Sequence, residues 1–117
     1  MTYKDLKVWQ KANEFALEIY RITKQCPKSK NRNICLTAQL RRAALSVPTN
    51  IVEGYARKGD KELARFFNIA IGSLAEAEYL LYFSKELNYI TQADHSKVES
   101  LRNDVGSLLW SFYRKLL

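Results

Sequence analysis

The chain has 117 residues, 47% of them hydrophobic and 26% charged, with a formal net charge of +7. That mix excludes a disordered chain, the length suits one domain spanning 1–117 with a modest core, and four Gly with two Pro are too few for a turn-dense β-sandwich. Helix is therefore the default expectation, and the charge is uneven: residues 1–58 hold 12 Lys/Arg against 4 Asp/Glu, residues 59–117 hold 7 against 8.

In chain order, residues 5–24 set Leu6, Trp9, Ala12, Phe15, Ala16, Ile19 and Tyr20 at steps of three and four. Lys4, Lys7, Lys11, Glu14, Glu18 and Arg21 fall opposite, which predicts a first amphipathic helix. Pro27 and the polar run QCPKSKNRN end it. The start has charges every few residues and no apolar h-region, so a signal peptide is not expected. No apolar run approaches the roughly 18 residues of a membrane span, so a cytoplasmic protein without membrane contact is expected. Cys26 and Cys35, with His95 as the lone histidine, fall short of the four or so ligands of a structural zinc. They are expected as reduced thiols, with no metal and no cofactor.

A second helix is predicted from about Ile34 to Arg57, with Leu36, Leu40, Ala43, Ala44, Val47, Ile51 and Tyr55 as its apolar stripe. Pro48 lies inside it, removes one backbone hydrogen bond and costs ~3 kcal/mol or more. The helix must kink near Ala44–Val47 or break in two, and the unbroken phase of the stripe favours the kink. A second stripe runs beside the first: Gln39, Arg42, Ser46, Asn50, Glu53 and Arg57. A solvated face would carry Lys and Glu, whereas a hydroxyl and two amides among alanines imply close packing. The stripe is either a polar seam, within the fold or between subunits, or a binding or catalytic groove; the seam is preferred. Ser73, Glu76 and Asn68 of the next helix are its candidate partners, and an Arg42–Glu76 pair is expected.

The third helix should open at Asp60 as N-cap, with Glu62 in its first turn, and run to about Leu87 through Leu63, Phe66, Phe67, Ala70, Ile71, Leu74, Ala77 and Leu81. Thr91, with Asp94 three residues on, opens a fourth helix carrying Val98, Leu101, Val105, Leu108, Phe112 and Leu116. Four such helices with short connections predict an all-α, antiparallel up-down-up-down four-helix bundle, roughly 30–40 Å long at 1.5 Å per residue.

That topology gathers Lys4, Lys7, Lys11, Arg57, Lys58, Lys61, Arg65, Arg114 and Lys115 at one end, against Asp5, Glu53, Asp60 and Glu62. Two helix N-termini there add a preference for anions, and nucleic acid is the first partner such a surface suggests. A smaller cluster, Lys24, Lys28, Lys30 and Arg32, falls in the first loop. Catalysis is not expected. His95 stands apart from any carboxylate cluster, no Cys or Ser has an evident base, and neither a Gly-rich phosphate loop nor a Glu-x-x-His signature is present. Phe66–Phe67 and the run YLLYF at 79–83 are apolar on more than one side of helix three, which predicts cover by a second subunit.

Three blocks, DLKVWQKA at 5–12, QLRRAALSVPTNIVEGYARKG at 39–59 and FFNIAIGSLAEAEYLL at 66–81, resemble the bacterial four-helix-bundle proteins encoded in intervening sequences of 23S rRNA genes. That group includes the accessory variability protein of diversity-generating retroelements. The resemblance covers residues 5–87, and the motif positions it carries over are Gln39, Arg41, Arg42, Asn50, Glu53, Gly54, Arg57 and Gly72. Cys26 departs from a usual Phe and Val52 from a frequent Ala; neither lies in the polar stripe. The resemblance implies a homopentamer of four-helix protomers, nucleic-acid binding through basic surfaces and, for a gene within a retroelement, a reverse transcriptase as partner. Two functions stand against each other: a non-enzymatic binder of RNA or DNA backbone, and a structural or adaptor scaffold for another protein.

Overall fold

The computed structural model describes residues 1–27 and 35–117. A 3-10 turn at Tyr3–Asp5 precedes four helices, α1 (Lys7–Ile22), α2 (Leu36–Ala56), α3 (Asp60–Glu86) and α4 (Gln92–Lys115), and no strand occurs among the described residues. Helix packing is cyclic: α1 on α2, α2 on α3, α3 on α4, and α4 back on α1, with α2–α3 the most extensive contact. One apolar cluster lies between them, in which Phe15, Ile19, Leu40, Ile51, Phe67, Leu81, Val98 and Leu109 are fully buried. Each such side chain contributes about 1.5–3 kcal/mol on leaving water.

The first helix begins two residues later than the periodicity suggests. Thr2 Oγ1 accepts from Lys4 N at 3.1 Å and Asp5 Oδ2 accepts from Thr2 N at 2.8 Å, so the opening residues close a capping box of their own. Leu6 is extended and separates that turn from α1. At the other end Thr23, 1% exposed, turns its hydroxyl back to the Ile19 carbonyl at 2.6 Å.

Helix α2 runs unbroken through Pro48, which is itself buried. The two carbonyls that follow Ala44 each receive an added side-chain donor: Thr49 Oγ1 to Leu45 O and Asn50 Nδ2 to Ser46 O, both at 2.8 Å. These bonds brace the turn in which proline supplies no N–H. The expected start at Ile34 lies outside the described residues, as do Lys28, Lys30 and Arg32 of the smaller basic cluster.

At the α2–α3 corner the sequence expectation needs correcting. The N-cap of α3 is Gly59, not Asp60, and Gly59 stands at φ 87°, where a Cβ would be strained. Asp60 is instead the first helical residue and joins Glu62 in offsetting the helix dipole. Just past the C-cap Leu87 of α3, Asn88 stands at φ 62°, with Asn88 N bonded to Lys85 O and Tyr89 N to Ser84 O, both at 2.9 Å. Thr91 caps α4 as its spacing predicts, accepting from Asp94 N at 3.0 Å.

Candidate nucleic-acid interface

The basic residues of the expected patch are brought together by three local contacts. The N-terminal segment reaches the end of α2, where Tyr55 Oη meets the Met1 carbonyl at 3.5 Å. The start of α1 and the end of α4 share a groove lined by Lys7, Val8, Leu108, Phe112 and Lys115. The end of α2 lies against the start of α3 because Gly54 is buried there without a side chain. A Cβ on Gly54 would sit 3.0 Å from Phe66 Cβ and 3.2 Å from Leu63 Cδ1. That close approach puts the Phe66 ring under two guanidiniums, Arg65 at 4.5 Å and Arg57 at 5.3 Å from its centroid.

Of the nine cations, Lys11 pairs with Glu14 at 3.5 Å and Arg65 with Glu62 at 2.8 Å. The other seven, Lys4, Lys7, Arg57, Lys58, Lys61, Arg114 and Lys115, enter no ion pair among the described residues. The carboxyl of Glu62 is held below its ordinary range, first by the hydrogen bond from Arg65 and further by the charges of Arg65, Arg57 and Lys61. Cations elsewhere are mixed: Arg41, Arg42 and Lys85 enter no ion pair among the described residues, whereas three others do. Arg21 and Lys97 share Glu18, and Arg102 lies 2.7 Å from both Glu78 and Glu99.

The polar stripe of α2 divides in two. Its middle is a seam with α3: Ser46 Oγ lies 2.8 Å from Ser73 Oγ, and Asn50 Nδ2 donates to Ser46 Oγ at 2.9 Å. Arg42 and Glu53, like Arg57 just beyond the helix, are exposed, and Gln39 is half-buried. The expected Arg42–Glu76 pair does not form, since both side chains lie on the outer surface of their helices and neither enters an ion pair among the described residues. Asn68 is likewise exposed.

Other sequence candidates fall elsewhere. Arg41 faces α1, donating to Thr23 Oγ1 at 2.8 Å and to Tyr20 O at 3.2 Å while its guanidinium covers the Tyr20 ring. Its role is a tie between helices, and the signal for it, a threonine eighteen residues upstream, has no periodic signature. Gly72 lies on the outside of α3 with nothing within 4 Å of where a Cβ would stand, so nothing within the protomer requires it to be glycine. His95 is not apart from carboxylates as the sequence suggested: the α3–α4 packing sets it in a shallow depression with Glu78, Tyr79, Tyr82 and Glu99. Both of those carboxylates are held by Arg102. Cys26 and Cys35 are buried, and no cluster of metal-ligating side chains occurs among the described residues. No described helix is long and apolar enough to cross a membrane.

With four helices and no strand among its described residues, the chain falls in a known class of helical protein. Residues 4–111 match the family model of the 23S rRNA-intervening sequence protein, and the chain belongs to that family. Among solved structures it is similar to a protein of unknown function from the S23 ribosomal protein family of Bacteroides thetaiotaomicron, at 25% identity and a TM-score of 0.80. The alignment covers 92% of this chain and 95% of the other. A comparison with curated proteins finds no match.

Proposed function

We propose that the chain is a non-enzymatic, self-associating helical protein that binds the backbone of RNA or DNA through the cations at the start of α1, the α2–α3 corner and the end of α4. The observation that carries this reading is that seven of the nine cations expected at that end enter no ion pair among the described residues, whereas Arg21, Lys97 and Arg102 elsewhere each hold a carboxylate. Phosphate contacts of this kind give affinity without base reading. The helices alternate in direction as an up-down-up-down bundle, an arrangement supported by Ser46 meeting Ser73 while Gly54 meets Phe66.

Self-association is supported by the outer surface of α2 and α3. Leu45, Ile69, Tyr79 and Phe83 are 49%, 41%, 60% and 40% exposed, and Gly72 is open to a neighbour. In the homopentamer that the family resemblance implies, the basic end would recur five times around a ring, and multivalency would raise the affinity of weak single contacts.

Fluorescence polarisation with labelled RNA, duplex DNA and an RNA–DNA hybrid across a salt series tests the binding. Log affinity is expected to fall linearly with log salt, by about 0.9 per duplex phosphate neutralised. No binding at low salt by a folded oligomer would overturn the reading in favour of a protein-binding scaffold.

A further inference from the structure

The groove between the start of α1 and the end of α4 has a chemistry that phosphate contacts alone do not need. Its lining is apolar, with Val8, Leu108 and Phe112, while Lys7 and Lys115 line it too and Ser111 stands on it exposed. Phe112 also packs on the buried core: its ring lies 4.7 Å from that of Phe67, tilted 30°, a contact that helps to fix its position in the groove wall. No carboxylate lines the groove. The nearest acid in sequence, Asp5, is occupied in the Thr2 capping box, and Glu14 is paired with Lys11. In sequence, Lys4 of the 3-10 turn and Lys11 of α1 flank Lys7, and Arg114 adjoins Lys115.

Resting on the nucleic-acid reading above, we propose that this groove takes one unpaired base of a single strand, stacked against Phe112, while Lys7 and Lys115 hold the phosphates flanking it. An aromatic platform within a cationic track is how single strands are held without sequence preference, each stacked base being worth about five- to 150-fold in affinity. A paired base is unavailable for such stacking, so a duplex would use the lysines and leave the apolar lining empty. The groove, about 240 Å3, has room for one base. An acidic peptide is the less favoured occupant, because carboxylate side chains bring no flat ring to fill an apolar slot lined by Val8, Leu108 and Phe112.

Fluorescence polarisation on the full chain at fixed salt decides it, using single-stranded RNA, the matching duplex and a single strand made abasic throughout. The single strand is expected to bind about tenfold tighter than the duplex and the abasic strand. Ser111→Leu, which fills the groove from an exposed helical position, should remove that advantage and leave duplex affinity unchanged. Equal affinities for single strand, duplex and abasic strand would overturn the groove assignment while leaving backbone binding intact. A single-strand advantage that survives in Ser111→Leu would overturn its location. Failure of every nucleic acid to bind, with an oligoglutamate peptide bound instead, would overturn both readings and assign the groove to an acidic protein.

Discussion

Across the α1–α4 contact the outer layer is made of charge: Glu18 serves Arg21 and Lys97, and Arg21 reaches Asp94 at 3.4 Å. Across α2–α3 the same layer holds no ion pair among the described residues. It holds the Ser46–Ser73 contact, Asn50, and the glycine that lets Phe66 approach. Long charged side chains at a helix seam reach water and tolerate it. Hydroxyls, amides and a glycine draw the helices close and leave leucine, isoleucine and aromatic rings outside. The first pair is tied by ion pairs although Leu17 and Trp110 are exposed on its helices, whereas the second exposes Leu45, Ile69 and Tyr79 beside a seam of short polar groups, the surface that the proposed self-association would use.

The difference is sharpened by four experiments, taken from the largest expected effect downward. Charging the α2–α3 surface with Leu45→Glu and Ile69→Glu together should reduce the assembly to the 13.6 kDa protomer by native mass measurement, with the helical circular dichroism kept. An unchanged mass would place the subunit contact on another face. Gly54→Val should cost about 2–3 kcal/mol in denaturant unfolding, because the new side chain meets Phe66 and Leu63. Ser46→Ala should cost about 1 kcal/mol, since it strips Ser73 and Asn50 of their shared oxygen.

Glu18→Gln should cost about 1 kcal/mol or less at neutral pH, and less still in high salt. Its pH dependence has a definite sign. The hydrogen bond from Arg21, first among its causes, holds the Glu18 carboxyl below its ordinary 4.5 in the folded state. The stabilisation is therefore complete above 4.5 and is lost as pH falls through the lowered value. Unfolding curves of the two proteins should converge on acidification; a gap constant with pH would show that the ion pair is not its source.

Much of this was legible in the sequence, for physical reasons that also mark where legibility ended. Spacing of three and four residues finds buried faces, so all four helices, the Thr91 cap and the Pro48 site could be read directly. Spacing does not fix how far each helix is rotated about its own axis, and that angle decides partners. Hence Arg42 and Glu76 were paired in expectation but lie apart, while Arg41 found Thr23 and His95 came beside Glu78 and Glu99. The turn at Gly59 escaped for a local reason: Asp60 has the better capping side chain, but φ 87° belongs to glycine. The cations expected at one end of the bundle could be enumerated from an assumed topology. Which cations lack a carboxylate partner could be known only from the packed molecule.

The most direct measurement compares two charge reversals of equal size in the salt dependence of single-stranded RNA binding. One places Glu at Lys58, Lys61 and Lys115, within the unpaired row, and the other at Lys24, Arg42 and Lys97, which are exposed elsewhere. Binding through a defined basic end requires the first set to flatten the log–log salt slope by about 2, at roughly 0.7 per lost phosphate contact, and the second to leave it near that of the unaltered protein. Equal flattening by both sets would mean that RNA answers to net charge alone, and would contradict a site.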